Sequence, residues 1–429
     1  MNGLKTNNAP NSSVVVPHFI FGAISFFLLA VMLFLSSSNL LEVYFNNKLV
    51  AITHMGVLGW ATMIIFGALY QLIPVVFETA LFSEKLAKFT FWISVFSVCF
   101  LCYSFWVASY TILLPYASLC MFFSLLLFVV NVLLSHQKSA IKNWSSRLVV
   151  AAIIWLLITE ILGTLVALNF KFNFFNETHI HYLKIHATVG LVGWFLLLII
   201  GVGSTLIPMF LISHELNKNK LKASFYFINI GLLLFILNGF FINVSSLIYI
   251  NWLLIAFGVL FFVSFIYDSF KKRMRKKLDV GMQYSMIAIA SILLPIVISS
   301  VLILRFNFQF ELLSRITIFY GFSILFGFIT TLILGQTYKT LPFIIWLDRY
   351  KKLVGKTKTP LPRELYSNRI ASIQFYLYLI FIILTPIGVL LNTEIIVKLG
   401  CFTLLLVSVL YMMNVFKIIL HKVKPIENE

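Results

Sequence analysis

The chain reads as an all-α polytopic membrane protein, with twelve transmembrane helices in three pseudo-symmetric four-helix units. Three observations predict this. The composition is 61% hydrophobic and 11% charged, with a mean hydropathy of +1.01, whereas a soluble domain is about half apolar and about a quarter charged. Apolar runs of about 20 residues recur along the whole length, and each can cross a hydrocarbon core of about 30 Å. A barrel would show short alternating segments instead. The third observation is a repeat: Gly59-Trp60, Gly67 and Pro74 return as Gly193-Trp194, Gly201 and Pro208, and again as Gly327-Phe328, Gly335 and Pro342, 134 residues later each time. A fixed period of this kind marks one multi-helix unit used three times.

The elements follow in order. Residues 1–17, MNGLKTNNAPNSSVVVP, form a polar N-terminal tail. They lack the basic-then-apolar layout of a cleavable signal, so the first span is expected to serve as an uncleaved insertion signal. Spans are predicted at 18–38, 50–75, 89–109, 111–135, 148–169, 186–212, 223–243, 246–269, 282–304, 316–344, 370–391 and 395–416. Residues 18–424 read as one membrane domain, with repeat units over about 18–135, 148–269 and 282–416 and a C-terminal tail over 417–429. The repeated frame falls on the second, sixth and tenth spans.

Lys and Arg give the orientation. With the N-terminus cytoplasmic, 25 of the 32 basic residues fall on the inside, including Lys5, Lys424, the run from Lys271 to Lys277 and the run from Arg349 to Arg369. Six fall outside (Lys48, Lys171, Lys184, Arg305, Arg315 and Lys398), and Lys339 lies within the tenth span. Both termini are therefore expected in the cytoplasm of a cell whose inner membrane holds the protein. The basic clusters face anionic headgroups, so a net charge of +18 does not call for nucleic acid. The longest loop, WLDRYKKLVGKTKTPLPRELYSNR, carries Pro360 and Pro362 and reads as surface loop. No loop can hold a nucleotide-binding fold, and no Walker or dinucleotide fingerprint occurs. Any chemistry lies among the helices.

Cys99, Cys102, Cys120 and Cys401 all fall within apolar spans and read as core-filling thiols, although Cys99 and Cys102 have CxxC spacing. Of eight histidines, His136, His214 and His421 lie at cytoplasmic ends beside Lys and Arg and read as interfacial. His18 opens the first span about a membrane thickness from His54, too far for a shared ligand. His54 opens the second span and His186 the sixth, with His179 and His181 just before it, all at the outer face. Imidazoles in such a place suit haem or metal, copper or zinc included; the bland reading is interfacial caps. His54 stands six residues before Trp60 and His186 eight before Trp194. At about 100° per residue they are not equivalent, and the third unit has Phe322 and Tyr320 there. The glycines either let helices approach closely or make room for a flat macrocycle. Tyr70, Tyr338 and Lys339 precede the repeated prolines; Lys339 reads as a snorkelling lysine or the head of a proton path, and Tyr338 as a redox tyrosine. Glu160 (WLLITEILGT) is an acid deep within a span, where it needs a partner or its proton, and it suits a proton route or a plain interhelical hydrogen bond.

Twelve helices, a threefold repeat of four and a histidine at the outer end of the second span resemble subunit I of the haem–copper oxidase superfamily. His54…GALYQLIP is most similar to the nitric-oxide-reductase and cbb-type branch. The resemblance implies that His54 ligates a low-spin, b-type haem and that His186 is the nearest match to the sixth-helix ligand of the non-haem metal. The family takes further ligands from its seventh and tenth helices. Here ASFYFINIGLLLFILNGFFINV and RITIFYGFSILFGFITTLILGQTYKTLP contain no histidine. The implied protein is an oxidase-subunit-I-like membrane haem protein without a complete haem–copper centre. It is similar to the membrane haem proteins of the nitric-oxide response, handling electrons or a gas ligand with an electron-donor or other membrane subunit as partner. The alternatives are a non-haem copper or zinc protein built on His179, His181 and His186, and a cofactor-free transporter or scaffold.

Overall fold

The structure, a computed structural model, describes residues 9–140, 142–304 and 308–423. The described residues are helical with no strand, and twelve helices are long and apolar enough to span a membrane. They are α1 (Ser12–Leu35), α2 (Asn47–Val76), α3 (Glu84–Trp106), α4 (Leu113–Gln137), α5 (Trp144–Phe172), α6 (His179–Leu211), α7 (Asn219–Ile242), α8 (Leu247–Lys271), α9 (Val280–Ile303), α10 (Phe310–Leu353), α11 (Asn368–Leu390) and α12 (Glu394–Ile419). The protein is thus an integral membrane protein. Lys5, Arg305 and Lys424, used above for orientation, lie outside the described residues, as do the first eight residues of the N-terminal tail and the last six of the C-terminal one.

Local chemistry explains where the helices start and stop. The side chains of Asn11, Asn46, Ser83, Asn143, Asp279 and Ser367 each accept a hydrogen bond from a backbone N–H in the first turn of α1, α2, α3, α5, α9 and α11, satisfying donors that a helix start leaves without a backbone partner. The chain leaves α5 at Asn173 and α7 at Asn243 in the left-handed conformation, which asparagine tolerates. Ile212 closes α6 at φ +55°, a strained place for a β-branched residue.

The helices fall into two compact units. One contains Leu72–Lys277 with 296–304; the other contains Pro10–Gln71, Leu278–Pro295 and 308–423. The first therefore holds α3–α8 and the second α1, most of α2, the start of α9, and α10–α12. These units do not follow the boundaries of the sequence repeat.

The 134-residue period reappears in the backbone itself. Within α2, α6 and α10 the helix widens to i→i+5 hydrogen bonding over Met55–Thr62, Val189–Leu196 and Ser323–Thr330. Such π-helical turns are rare and usually single, so three in one register follow the sequence frame. The glycines after them repeat one packing role. A Cβ on Gly67 would stand 2.8 Å from the His18 Cβ, on Gly201 2.9 Å from Val149, and on Gly335 2.5 Å from the Gly281 carbonyl oxygen. Each lies against the span that precedes its own. Gly193 meets Trp155 in the same way, at 2.8 Å. At these four positions the space is filled by protein and no macrocycle is needed to explain the residue.

Two sequence readings are corrected. Cys102 and Cys401 are buried, but Cys99 is exposed and Cys120 half-buried; Cys99 and Cys102, about 60° apart around α3, fall on either side of the edge of its packed face. The 346–369 region is less of a loop than its prolines suggest. α10 runs 44 residues to Leu353, roughly 60 Å, and the segment after it returns to bury Leu365 and Tyr366, with the Tyr366 ring 4.9 Å from that of Tyr338.

Candidate functional site

His54 is the last residue of α2 before its π-helical turn and is half-buried. Its Nδ1 lies 2.8 Å from the Val50 carbonyl oxygen. A carbonyl only accepts, so Nδ1 carries the hydrogen and the lone pair of the neutral ring is on Nε2. Two residues on, a Cβ at Gly56 would stand 2.9 Å from a Leu325 methyl, so α2 and α10 are in close contact just beyond the histidine. Further along the π-helical turn, buried Trp60 donates from Nε1 to Thr330 Oγ1 at 3.2 Å. Its ring stacks on Phe26 at 4.4 Å and meets the edge of Tyr411 at 5.2 Å. The α10 position equivalent to His54 is Phe322, buried against Phe326 and Phe381.

His186, in the other unit, is also held by a carbonyl. Its Nδ1 donates to the Thr159 carbonyl of α5 at 3.0 Å. Gly163 makes this possible, because a Cβ there would stand 2.7 Å from the imidazole Cε1. His181 donates from Nε2 to the Gly239 carbonyl at 2.8 Å. His179 stacks on Phe170 at 4.1 Å, and its Nε2 accepts from the Asn169 amide at 3.0 Å. These three histidines share the first turns of α6, yet each ring is turned to a different partner. Among the described residues, no three His, Cys, Asp or Glu side chains converge as a metal-holding group.

Of the remaining sequence candidates, Tyr70 is fully buried beside His18, ring centroids 5.6 Å apart and edge to face. His18 is fully buried as well, and its Nδ1 donates to the Val14 carbonyl at 2.9 Å. It lies under Gly67, thirteen residues past His54 along α2, or roughly 20 Å, which keeps the two from sharing a ligand. Lys339 does not snorkel: it pairs with Asp279, which also caps α9. Glu160 is buried at mid-span, with the Thr164 hydroxyl one turn on in reach of it.

Tyr338 belongs to a polar network that sequence reasoning missed. Its hydroxyl donates to Gln374 Oε1 at 2.5 Å and accepts from the Asn414 amide at 3.2 Å. Gln374 in turn donates to the Tyr284 hydroxyl at 3.3 Å. Tyr378 donates to the Phe326 carbonyl at 2.6 Å, as Thr331 does at 2.7 Å, so a carbonyl in the widened turn of α10 gains two side-chain donors. Thr337 pairs with Tyr411 at 3.1 Å. The available signal was the presence of Gln374 and Asn414 in otherwise apolar spans, where a buried amide must find partners. With Tyr338 and Gln374 already bonded to each other and to fixed amides, the arrangement acts first as a clamp between α9, α10, α11 and α12.

The donor sets of His54 and His186 fit an axial ligand: metal-bound histidine characteristically gives its other N–H to a carbonyl, which fixes tautomer and ring orientation. Compared with known proteins, the chain matches no family model and no curated relative.

Proposed function

We propose that the chain is an oxidase-subunit-I-like membrane haem protein in which His54 is an axial ligand of a b-type haem. The observation that carries the reading is the His54 tautomer: Nδ1–H is bound to the Val50 carbonyl, which leaves Nε2 as the ligating atom at the edge of a π-helical turn. The resemblance of the second-span motif supports it. A bound haem supplies one-electron chemistry and a coordination place for NO or O2. The chain's own part is to fix the imidazole and to stiffen α2 through Trp60 and Thr330. His186 offers the same ligand chemistry in the other unit and is the second candidate. The further ligands that the resemblance implies for a haem–copper pair, two metal ligands on the seventh helix and two haem histidines on the tenth, have no counterpart in this sequence, so the proposed role is electron transfer or gas-ligand handling, with a donor or another membrane subunit as partner.

The test is an optical spectrum with metal analysis of the purified protein. The expected result is a Soret band with stoichiometric iron, lost in His54→Ala and kept in His54→Ala supplied with imidazole. A haem-free wild-type protein would overturn the reading, as would an unchanged spectrum in His54→Ala. Copper or zinc in place of iron, lost in the His181→Ala/His186→Ala pair, would transfer the function to the α6 histidines.

A further inference from the structure

The cleft between α3 and α4 is used by no part of the haem reading. Ser94 and Ser124 share a hydrogen bond at 2.6 Å and hold the two helices together behind it. Trp92 and Phe96 of α3 line one side, Leu119 and Phe123 of α4 the other, with half-buried Ile93 and Cys120 deeper in. The rims stand open, Trp92 exposed by 69% and Phe96 by 60%. The cleft has a volume of about 460 Å³. That is the size of a small-molecule site, and less than two turns of a helix about 10 Å across would fill.

One end of the cleft is positively charged. The N–H groups of Phe82 and Ser83 donate to Ser135 Oγ at 2.8 Å and Asn131 Oδ1 at 3.1 Å, so the start of α3 is fastened to the end of α4. Three lysines gather there. Lys138, which follows α4, lies over the Phe82 ring at 4.9 Å. Lys85 and Lys88 are exposed, and among the described residues neither takes part in an ion pair. Lys85, Lys88, Trp92 and Phe96 fall within an arc of about 80° around α3, so these lysines stand on the stripe that lines the cleft. Glu84, in the same turn, falls outside that arc. Trp92 and Phe96 follow Lys88 by about 6 Å and 12 Å along the axis. Lysines at the end of a span place their charge at the membrane interface, and the cleft then opens into the hydrocarbon next to them.

A zwitterionic lipid would match the cleft but leave the lysines without a counter-charge. A free anion would match the lysines and leave the aromatic rims bare. We propose that this cleft binds one anionic phospholipid, with an acyl chain against Trp92, Phe96 and Phe123 and the headgroup at Lys85 and Lys88, Lys138 adding to the field. The site stands independently of the haem assignment.

Purified full-length protein in phosphatidylcholine vesicles tests this with brominated lipids, because bromine in contact with an indole quenches its fluorescence. The difference between wild type and Trp92→Phe isolates Trp92 among the eight tryptophans. Brominated phosphatidylglycerol is expected to quench Trp92 at a lower mole fraction than brominated phosphatidylcholine. Lys85→Gln/Lys88→Gln, with and without Trp92→Phe, is expected to reduce that preference by about fivefold per lysine at low salt. Lys85→Arg/Lys88→Arg is expected to keep it. Equal quenching by the two lipids overturns the proposal, as does a preference that survives in the Gln pair or disappears in the Arg pair. So does a Trp92 that neither lipid quenches, which would mean that a second copy or another subunit covers the cleft.

Discussion

His421 shows how one side chain beyond the membrane couples pH to structure. It follows the end of α12 at Ile419, and its Nε2 accepts a hydrogen bond from the Tyr350 hydroxyl at 2.7 Å. Burial, then the nearby Arg349 and Lys417 charges, hold its pKa below the ordinary histidine value. A histidine whose pKa falls on folding binds fewer protons folded than unfolded, so its contribution is present above the ordinary value near 6.5 and is lost as pH drops through the lowered one. Protonation also removes the lone pair that accepts from Tyr350. Backbone amides of the α10 end around Tyr350 are expected to exchange with deuterium faster, relative to the intrinsic rate, at pH 5 than at pH 7.5. His421→Gln is expected to abolish that difference; a difference that persists in the variant would assign the effect to another group. None of this was legible in the sequence, where His421 read as one more interfacial histidine. The partner, Tyr350, lies 71 residues away on a helix whose length the prolines after it concealed.

At the scale of elements, the repeat was legible and its physical content was not. The spacing of Gly67, Gly201 and Gly335 predicted three equivalent helices, but a sequence cannot distinguish a glycine that clears space from one whose space is taken. Gly335 is the tightest case among the three. A Cβ there would meet the Gly281 carbonyl oxygen at 2.5 Å and Tyr284 Cβ at 2.7 Å. The first obstacle is backbone and cannot rotate away. Gly335→Val is therefore expected to separate α9 from α10 and to destabilise by about 1–3 kcal/mol or more, seen as a lower melting midpoint in detergent. Gly327→Ala, whose nearest neighbour is Ser291 at 4.0 Å, is the control and is expected to melt within a few degrees of wild type. Equal midpoints for the two variants would mean that α9 and α10 are not in this contact. The Lys339–Asp279 pair belongs to the same helix couple. Asp279 caps α9 just before an apolar run, and its bond to Lys339 depends on a tertiary approach that no local pattern encodes.

For the whole molecule, composition alone was enough to identify twelve membrane helices, because about 20 apolar residues have no other stable use at such frequency. Sidedness is a separate question that rests on charge. If both termini are cytoplasmic, single cysteines placed at 274 and 354 in a cysteine-free background are expected to react with a membrane-impermeant maleimide only after spheroplasts are lysed. A cysteine at 47 is expected to react in intact ones. The reverse pattern would invert the topology and with it the face to which His54 is assigned. The candidate site was only half legible: His54 and His186 stand out as imidazoles in apolar helices, and Val50 lies one helical turn before His54, whereas the Thr159 carbonyl that sets the His186 tautomer is brought into reach only by the fold.

The widened turns carry one more consequence, which concerns angular phase. A π-helical stretch advances by less rotation per residue than the α-helix around it, so it works as a vernier between the two parts of a rod. In α2 it lies between His54 and Tyr70; in α6, between His186 and Ser204; in α10, between Tyr320 and Tyr338. A helical wheel drawn at a constant step through any of these spans puts the residue before the wide turn on the wrong meridian relative to those after it. The azimuth of His54 is thus set by how many residues the wide turn contains, and removing one of them would swing the imidazole about a quarter-turn while leaving every residue below it in place.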